Sequence, residues 1–184
     1  MESDSRIVAL LRGVNVGGRH VLPMAGLRAC LEQAGCTDVE TYIQSGNVVA
    51  TVPAPERRRA AAWLAGVISA HAGFEVPVVA RSADELRRLV TDVPYATEDP
   101  KLVHANFFAD ARSAVRYLDV VIDSYEPERA VVLGSTVVFW LPNGLGRSPL
   151  VIDLERRAKR ERLDLGTMRN WNTIRKLVEM ADAS

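Results

Sequence analysis

The residues best suited to bind a ligand form a glycine-rich loop after the first apolar run, residues 7–11. Glycines allow a loop to expose its backbone N–H groups, and flanking arginines add positive charge, so such a loop can bind an anion. A simple turn with solvated or carboxylate-paired arginines is an equally good interpretation. The residues concerned are Arg12, Gly13, Asn15, Gly17, Gly18 and Arg19.

The spacing of Gly13 and Gly18 matches the two glycines of the phosphate-binding motif GxxxxGK[ST], but the residues that follow do not. Arg19 and His20 replace the lysine and the hydroxyl residue of that motif, and the next helix is predicted to begin later, near Pro23. The chain also lacks the GxGxxG sequence of dinucleotide-binding folds. The sequence therefore argues against a nucleotide-hydrolysing P-loop protein.

Two further segments combine turn residues with polar side chains. Residues 44–47 are most simply a hairpin turn, but a turn does not require Gln44, whose amide would be available to a ligand. Arg147 and Ser148 precede a predicted helix whose N-terminus would stabilise negative charge, with a plain N-cap as the alternative. These segments add Gln44, Ser45, Asn47, Arg147 and Ser148 to the candidate ligand-binding residues.

The last polar segment, residues 167–173, is predicted to begin the final helix, with Thr167 as its cap. Arg169 in the first turn would oppose the helix dipole, so it should have an acidic partner or a bound anion. Asn170 and Asn172 form helices poorly and flank Trp171, which is better explained as a core residue. Arg169, Asn170 and Asn172 complete the candidate site.

No catalytic or metal-binding set is visible. The three histidines are scattered, neither Ser45 nor Ser148 has the GxSxG setting of a nucleophile, and no acidic residues have metal-ligand spacing. Cys30 and Cys36 lack the spacing of a metal knuckle and cannot form a disulfide framework. We therefore expect neither a metal nor a cofactor.

The composition limits the class of protein. Lysine plus arginine and aspartate plus glutamate both total 23, so the net charge is zero, unlike that of a generally basic nucleic-acid binder. The basic run 156–162 keeps a local nucleic-acid contact open, although a solvated helix face is the simpler explanation. The polar N-terminus does not resemble a signal peptide, and no apolar run reaches the ~20 residues of a membrane span. We expect a cytoplasmic protein.

The elements that position these segments follow the order βαββαβ twice. The first unit is predicted over residues 5–91, the second over 102–182, and a proline-containing linker lies between them. This order indicates an α+β fold of two ferredoxin-like units packed together, with a C-terminal helix. The predicted strands are 6–12, 39–43, 48–52, 76–80, 103–109, 129–133, 136–141 and 162–165.

Four motifs together resemble a known family. They are LLRGVNVGG at residues 10–18, TYIQSGNV at 41–48, PNGLGRS at 142–148 and TMRNWNT at 167–173. In this order they are similar to the bacterial family catalogued as domain of unknown function 1697, over residues 7–180. One departure is the charged stretch 158–165, which is longer than the family pattern leads us to expect. The resemblance implies two ferredoxin-like units and no particular activity.

Three hypotheses follow. In the first, the protein is a cytoplasmic binding domain for a small anionic ligand, phosphorylated or nucleotide-like, held where the four segments converge. In the second, an enzyme uses the same pocket to stabilise negative charge, with His20 and Ser45 as candidate reactive groups. In the third, the basic helix binds nucleic acid. The sequence does not indicate an oligomeric state.

Overall fold

The computed structural model describes residues 6–183, and the polar N-terminal segment 1–5 lies outside the described residues. The chain divides into two compact units, one formed by residues 6–88 with 176–183 and the other by residues 89–175. Each unit contains a four-stranded antiparallel sheet, and helices complete an α+β fold. The predicted fold class is confirmed.

The first unit has the predicted βαββαβ order. Its elements are β1 (Arg6–Leu11), α1 (Met24–Gln33), β2 (Thr37–Tyr42), β3 (Asn47–Thr51), α2 (Ala60–Ala72) and β4 (Val78–Ser82), and α3 (Ala83–Asp92) follows. The sheet order is β2-β3-β1-β4, so β4 lies at an edge, as the proline near its start predicted. The central strand β1 is buried along its whole length, as its continuous apolar run predicts.

Helices α1 and α2 cover one face of this sheet. Leu27 and Leu31 on α1, and Leu64 and Ile68 on α2, are almost completely buried in the same core cluster. Burying each such side chain contributes roughly 1.5–3 kcal/mol relative to exposure. This packing gives the loops at the ends of β1 and β2 a fixed base.

The second unit repeats the order. Its elements are β5 (Val103–Phe107), α4 (Ala111–Tyr117), β6 (Arg129–Leu133), β7 (Thr136–Trp140), α5 (Pro149–Glu161) and β8 (Thr167–Asn170). The sheet order β6-β7-β5-β8 is equivalent to that of the first unit. Helix α6 (Trp171–Asp182) follows β8 directly, and residues 176–183 belong to the first unit.

Several local signals in the sequence are confirmed. Ser82 and Glu85 form a capping box, in which the Ser82 N–H donates to Glu85 Oε2 at 2.7 Å and the Glu85 N–H donates to Ser82 Oγ at 3.2 Å. Gly134 lies in the two-residue turn between β6 and β7 and has a positive φ of 58°. Ser148 caps α5, because its Oγ accepts from the Val151 N–H at 3.0 Å.

The predicted end of the second unit is wrong in one respect. Residues 162–165 do not form a strand; the eighth strand is β8, and Thr167 is its first residue rather than a helix cap. Main-chain pairing with β5 explains the change, since Thr167 pairs with Phe107 and Asn170 with His104. These long-range partners outweigh a local pattern that favours a helix start.

Candidate functional site

The predicted glycine loop is a small β-hairpin. Val16 and Arg19 form an antiparallel bridge, and the Arg19 N–H donates to Val16 O at 3.1 Å. Gly17 and Gly18 between them have φ values of 57° and 72°, as a type I′ turn requires at both central positions. An ideal Cβ on either glycine would have no heavy atom within 4 Å, so the hairpin tip projects into open space.

Asn15 fixes this hairpin to the rest of the first unit. Its Nδ2 donates to Leu22 O at 3.0 Å and to Gln44 O at 2.8 Å, while its Oδ1 accepts from the Leu22 N–H at 2.8 Å. Asn15 itself has φ 55°, a conformation that asparagine tolerates better than most residues. The structure thus brings the first two predicted segments together, and it gives Asn15 a structural role between them.

His20 closes the base of the hairpin. Its ring stacks on Phe74 with centroids 4.6 Å apart and an interplanar angle of 22°, and its Nδ1 lies 3.2 Å from Gly13 O. Arg12 is half-buried after β1, and its N–H donates to Pro77 O at 3.0 Å. Arg19 is exposed, and within residues 6–183 its guanidinium has no hydrogen-bond or ion-pair partner.

The turn between β2 and β3 is largely engaged within itself. Asn47 is fully buried, and its Nδ2 donates to Tyr42 O at 3.1 Å and to Ser45 Oγ at 2.9 Å. The exposed residue Ile43 has a φ of 50°, a strained conformation for a β-branched side chain. Gln44 is also exposed, and its side-chain amide has no partner among the residues that the structure describes.

A carboxylate of the protein itself occupies the N-terminus of α5. Glu128 is 2% exposed, and its Oε2 accepts from Ser148 Oγ at 2.9 Å and from the Leu150 N–H at 3.1 Å. The side chain of Glu128 therefore occupies this helix N-terminus, and ligand binding by Arg147 and Ser148 stays a prediction. Arg147 lies on the preceding 3₁₀ turn and is exposed.

Arg169 lies on a strand and not in a helix turn, so the predicted conflict with a helix dipole does not exist. Its Nη1 donates to Met168 O at 2.9 Å, and burial lowers its pKa to about 10, which leaves it charged at neutral pH. Asn170 is the last residue of β8 and precedes α6. Its Oδ1 accepts from the Asn172 N–H at 3.0 Å, and its Nδ2 donates to Lys101 O at 3.0 Å. Asn172 is exposed. Convergence of all four segments stays a prediction.

The basic face of α5 carries several internal ion pairs. Arg156 lies 2.9 Å from Asp153, and Lys159 lies 3.7 Å from Glu155, the i,i+4 pair that the spacing predicts. Arg157 is largely buried and donates to Tyr117 O at 2.8 Å. These contacts are typical of a solvated helix face, and nucleic-acid binding through it stays a prediction.

A further basic region, which was not predicted, lies in the first unit. A groove of about 600 Å³ lies beside the start of α2, and Arg57, Arg58, Arg59 and Arg81 line part of it. Three successive arginines after Pro55 were the available signal in the sequence. That signal alone does not indicate a groove, because nothing local in the sequence shows that the remote residue Arg81 lies beside these arginines.

Neither a metal-binding cluster nor a membrane-spanning helix is found in the part of the chain that the structure describes. No three or more histidine, cysteine, aspartate or glutamate side chains there are grouped to hold a metal ion. Over the same residues, every helix is too short or too polar to cross a membrane.

Comparison with known proteins agrees with this architecture. The solved structure of the conserved bacterial protein SP0830 from Streptococcus pneumoniae is similar, with a TM-score of 0.68 and 22% sequence identity over 96% of this chain and 98% of that chain. A comparison with curated proteins found no match. The model of a family described as "Protein of unknown function (DUF1697)" matches residues 5–139. The family match covers most of the chain, and the protein therefore belongs to the DUF1697 family.

Proposed function

We propose that this protein binds a small anionic ligand, phosphorylated or nucleotide-like, at the hairpin of residues 15–20 and the adjoining turn 43–47. One observation carries the proposal. The N–H groups of Gly17 and Gly18 have no acceptor among residues 6–183, and they lie beside the unpaired Arg19. Two free backbone donors and a guanidinium on one tight turn are suitable donors for an anion.

The rigidity of the hairpin supports the proposal. Asn15 holds its base with three hydrogen bonds, and His20 stacks on Phe74, so the donors at the tip are held in place before a ligand arrives. A preorganised site loses less conformational entropy on binding.

The local charge also favours an anion. Residues 6–31 contain four arginines, including Arg12 and Arg19, and no aspartate or glutamate. The exposed amide of Gln44, on the turn that Asn15 contacts, can add a neutral donor for the remainder of a ligand. We place this binding in the cytoplasm, with which the two free thiols Cys30 and Cys36 are compatible.

The experiment is a titration of the ¹⁵N-labelled chain with inorganic phosphate and with adenosine monophosphate. We expect saturable downfield shifts of the Gly17 and Gly18 amide protons. Arg19→Gln should weaken the affinity about tenfold, since a hydrogen bond to a charged group is lost. Arg112→Gln, an exposed arginine of α4, is the matched control and should leave the affinity unchanged. Absence of saturable shifts at both glycines, or equal affinity in Arg19→Gln, would contradict the proposal.

A further inference from the structure

The arginine groove of the first unit has the size and lining of a ligand site. Its volume of about 600 Å³ falls within the usual range for pockets that hold small molecules. The first turn of α2 provides one apolar wall through three alanines, Ala60–Ala62, and Ile7 and Ala80 add apolar contacts from the sheet. A ligand in this groove would therefore find both apolar surface and cationic groups.

The arginines of the groove differ in how strongly they are engaged. Arg57 Nε donates to Val52 O at 3.3 Å, which holds that side chain against the end of β3. Arg59 makes a two-pronged ion pair with Glu56, at 2.7 and 3.0 Å. Arg58 has neither a hydrogen bond nor an ion pair to any described residue, so its guanidinium is available to a ligand.

Arg81 adds a positive charge that is largely removed from water. It is 8% exposed, its Nη1 donates to Ala80 O at 2.8 Å, and burial lowers its pKa. A positive charge with few water contacts interacts with an anion more strongly than a solvated one. An anion in the groove would therefore interact favourably with Arg81.

The groove contains little opposing charge. Glu85 is the acidic residue in its lining, and one of its carboxylate oxygens already accepts from the Ser82 N–H in the capping box. Glu56 already balances the charge of Arg59, but Arg57, Arg58 and Arg81 add further positive charge, which a ligand with several negative charges balances better than one with a single carboxylate does. Arginine is also the side chain best matched to phosphate geometry.

We propose that this groove is a second anion site, distinct from the hairpin, and that it binds a compact metabolite with two or more phosphate charges and a small apolar part. Arg58 contacts the phosphates directly, Arg57, Arg59 and Arg81 supply the surrounding positive charge, and the alanines of α2 contact the apolar part. Neither the hairpin proposal nor the family assignment requires this site.

The test uses calorimetric titration of the full chain with pyrophosphate, and with phenyl phosphate as a probe that adds an apolar group. Arg58→Gln should weaken pyrophosphate binding about tenfold or more, because a charge-assisted hydrogen bond is lost. Glu85→Gln should strengthen it several-fold, since glutamine keeps the capping box and removes the opposing charge. Urea unfolding of each variant establishes that the fold is retained.

Arg112→Gln is the control and should bind pyrophosphate as the wild type does, whereas Arg19→Gln should lose only the binding that belongs to the hairpin. The inference is overturned if pyrophosphate does not bind saturably, or if all four variants change its affinity equally. It is also overturned if Arg19→Gln abolishes pyrophosphate binding and Arg58→Gln does not, an outcome that would assign the phosphate to the hairpin. Loss in Arg58→Gln with intact phosphate shifts at Gly17 and Gly18 supports two separate sites.

Discussion

Arg81 and Arg169 occupy the same register position in the two sheets of this protein. Arg81 pairs with Val8, and Arg169 pairs with Ala105, the middle residues of the β1–β3 and β5–β7 ladders. Each arginine donates Nη1 to the carbonyl of the residue before it, and burial lowers the pKa of both. The internal repeat therefore extends from the order of elements to an individual arginine side chain.

Arg169→Lys should move the rise of stability with pH to lower pH than in the wild type, because an ordinary lysine pKa lies below that of arginine before burial lowers either one. Burial that lowers the pKa of Arg169 to about 10 will also lower that of a lysine at the same position. Below its pKa in the folded protein, the lysine is charged in both the folded and the unfolded protein, and the folded protein bears the full cost of removing that charge from water. As pH rises toward the unfolded pKa of about 10.4, the folded state loses the proton first and the variant gains stability.

The measurement is the free energy of unfolding in urea at pH 7, 8, 9 and 10. Arg112→Lys, at an exposed position of α4, is the control for general effects of the substitution. If the difference in the free energy of unfolding between Arg169→Lys and the wild type stays constant over this range, burial does not lower the pKa of a lysine at position 169.

Gly166→Ala should destabilise the second unit more than Gly134→Ala. Both glycines have positive φ, 65° and 58°, so alanine is strained by about 1–2 kcal/mol at either position. At Gly134 an added Cβ meets nothing within 4 Å, whereas at Gly166 it would clash with Asn106 Oδ1. Asn106 cannot easily move, because it is buried and its Nδ2 donates to Leu165 O at 3.0 Å.

We expect the overpacking at Gly166 to add a further ~1–3 kcal/mol. Urea unfolding monitored by tryptophan fluorescence compares the two variants directly. Equal losses would show that the contact with Asn106 relaxes at no cost.

The sequence predicted those features of the fold that depend on neighbouring residues. The capping box of Ser82 and Glu85 and the N-cap Ser148 each need only a few residues of local sequence. Strand β8 depends instead on pairing with β5, some 60 residues earlier, and its residues 167–170 carry no strand pattern of their own. Local rules therefore assigned it to a helix.

In the candidate sites, too, local features could be predicted from the sequence and contacts between distant residues could not. The glycines and Arg19 of the hairpin were recognisable as candidates, because glycine spacing and a neighbouring arginine are local features of the sequence, and their role in binding stays a prediction. The sequence did not predict that Glu128 occupies the N-terminus of α5, 20 residues from Ser148, or that Arg81 shares a groove with Arg58. Such partners become visible only when the topology places distant segments side by side.

Asn15→Ala should loosen the hairpin without unfolding the unit that carries it. The substitution removes three hydrogen bonds, to Leu22 O, Gln44 O and the Leu22 N–H, and places alanine at a φ of 55°. The global loss should be about 1–3 kcal/mol, while hydrogen exchange at the Leu22 amide should accelerate far more than exchange in β1. Gln44→Ala, which retains the main-chain acceptor, is the control and should leave exchange at Leu22 unchanged.

His104→Gln should remove part of the acid sensitivity of the second unit. Burial lowers the pKa of His104, and its Nε2 lies 3.4 Å from Asn170 Nδ2, a geometry that suits the neutral ring as acceptor. Below the unfolded pKa of about 6.5, the unfolded chain binds a proton that the folded protein resists. The stability that neutral His104 contributes is thus fully present above pH ~6.5 and is lost as pH falls toward the lowered folded value.

Urea unfolding between pH 5 and 7.5 should show a shallower decline in the free energy of unfolding for His104→Gln than for the wild type. His71→Gln, on the exposed side of α2, is the control and should follow the wild-type curve. Parallel curves for the wild type and His104→Gln would show that His104 takes up its proton equally in both states.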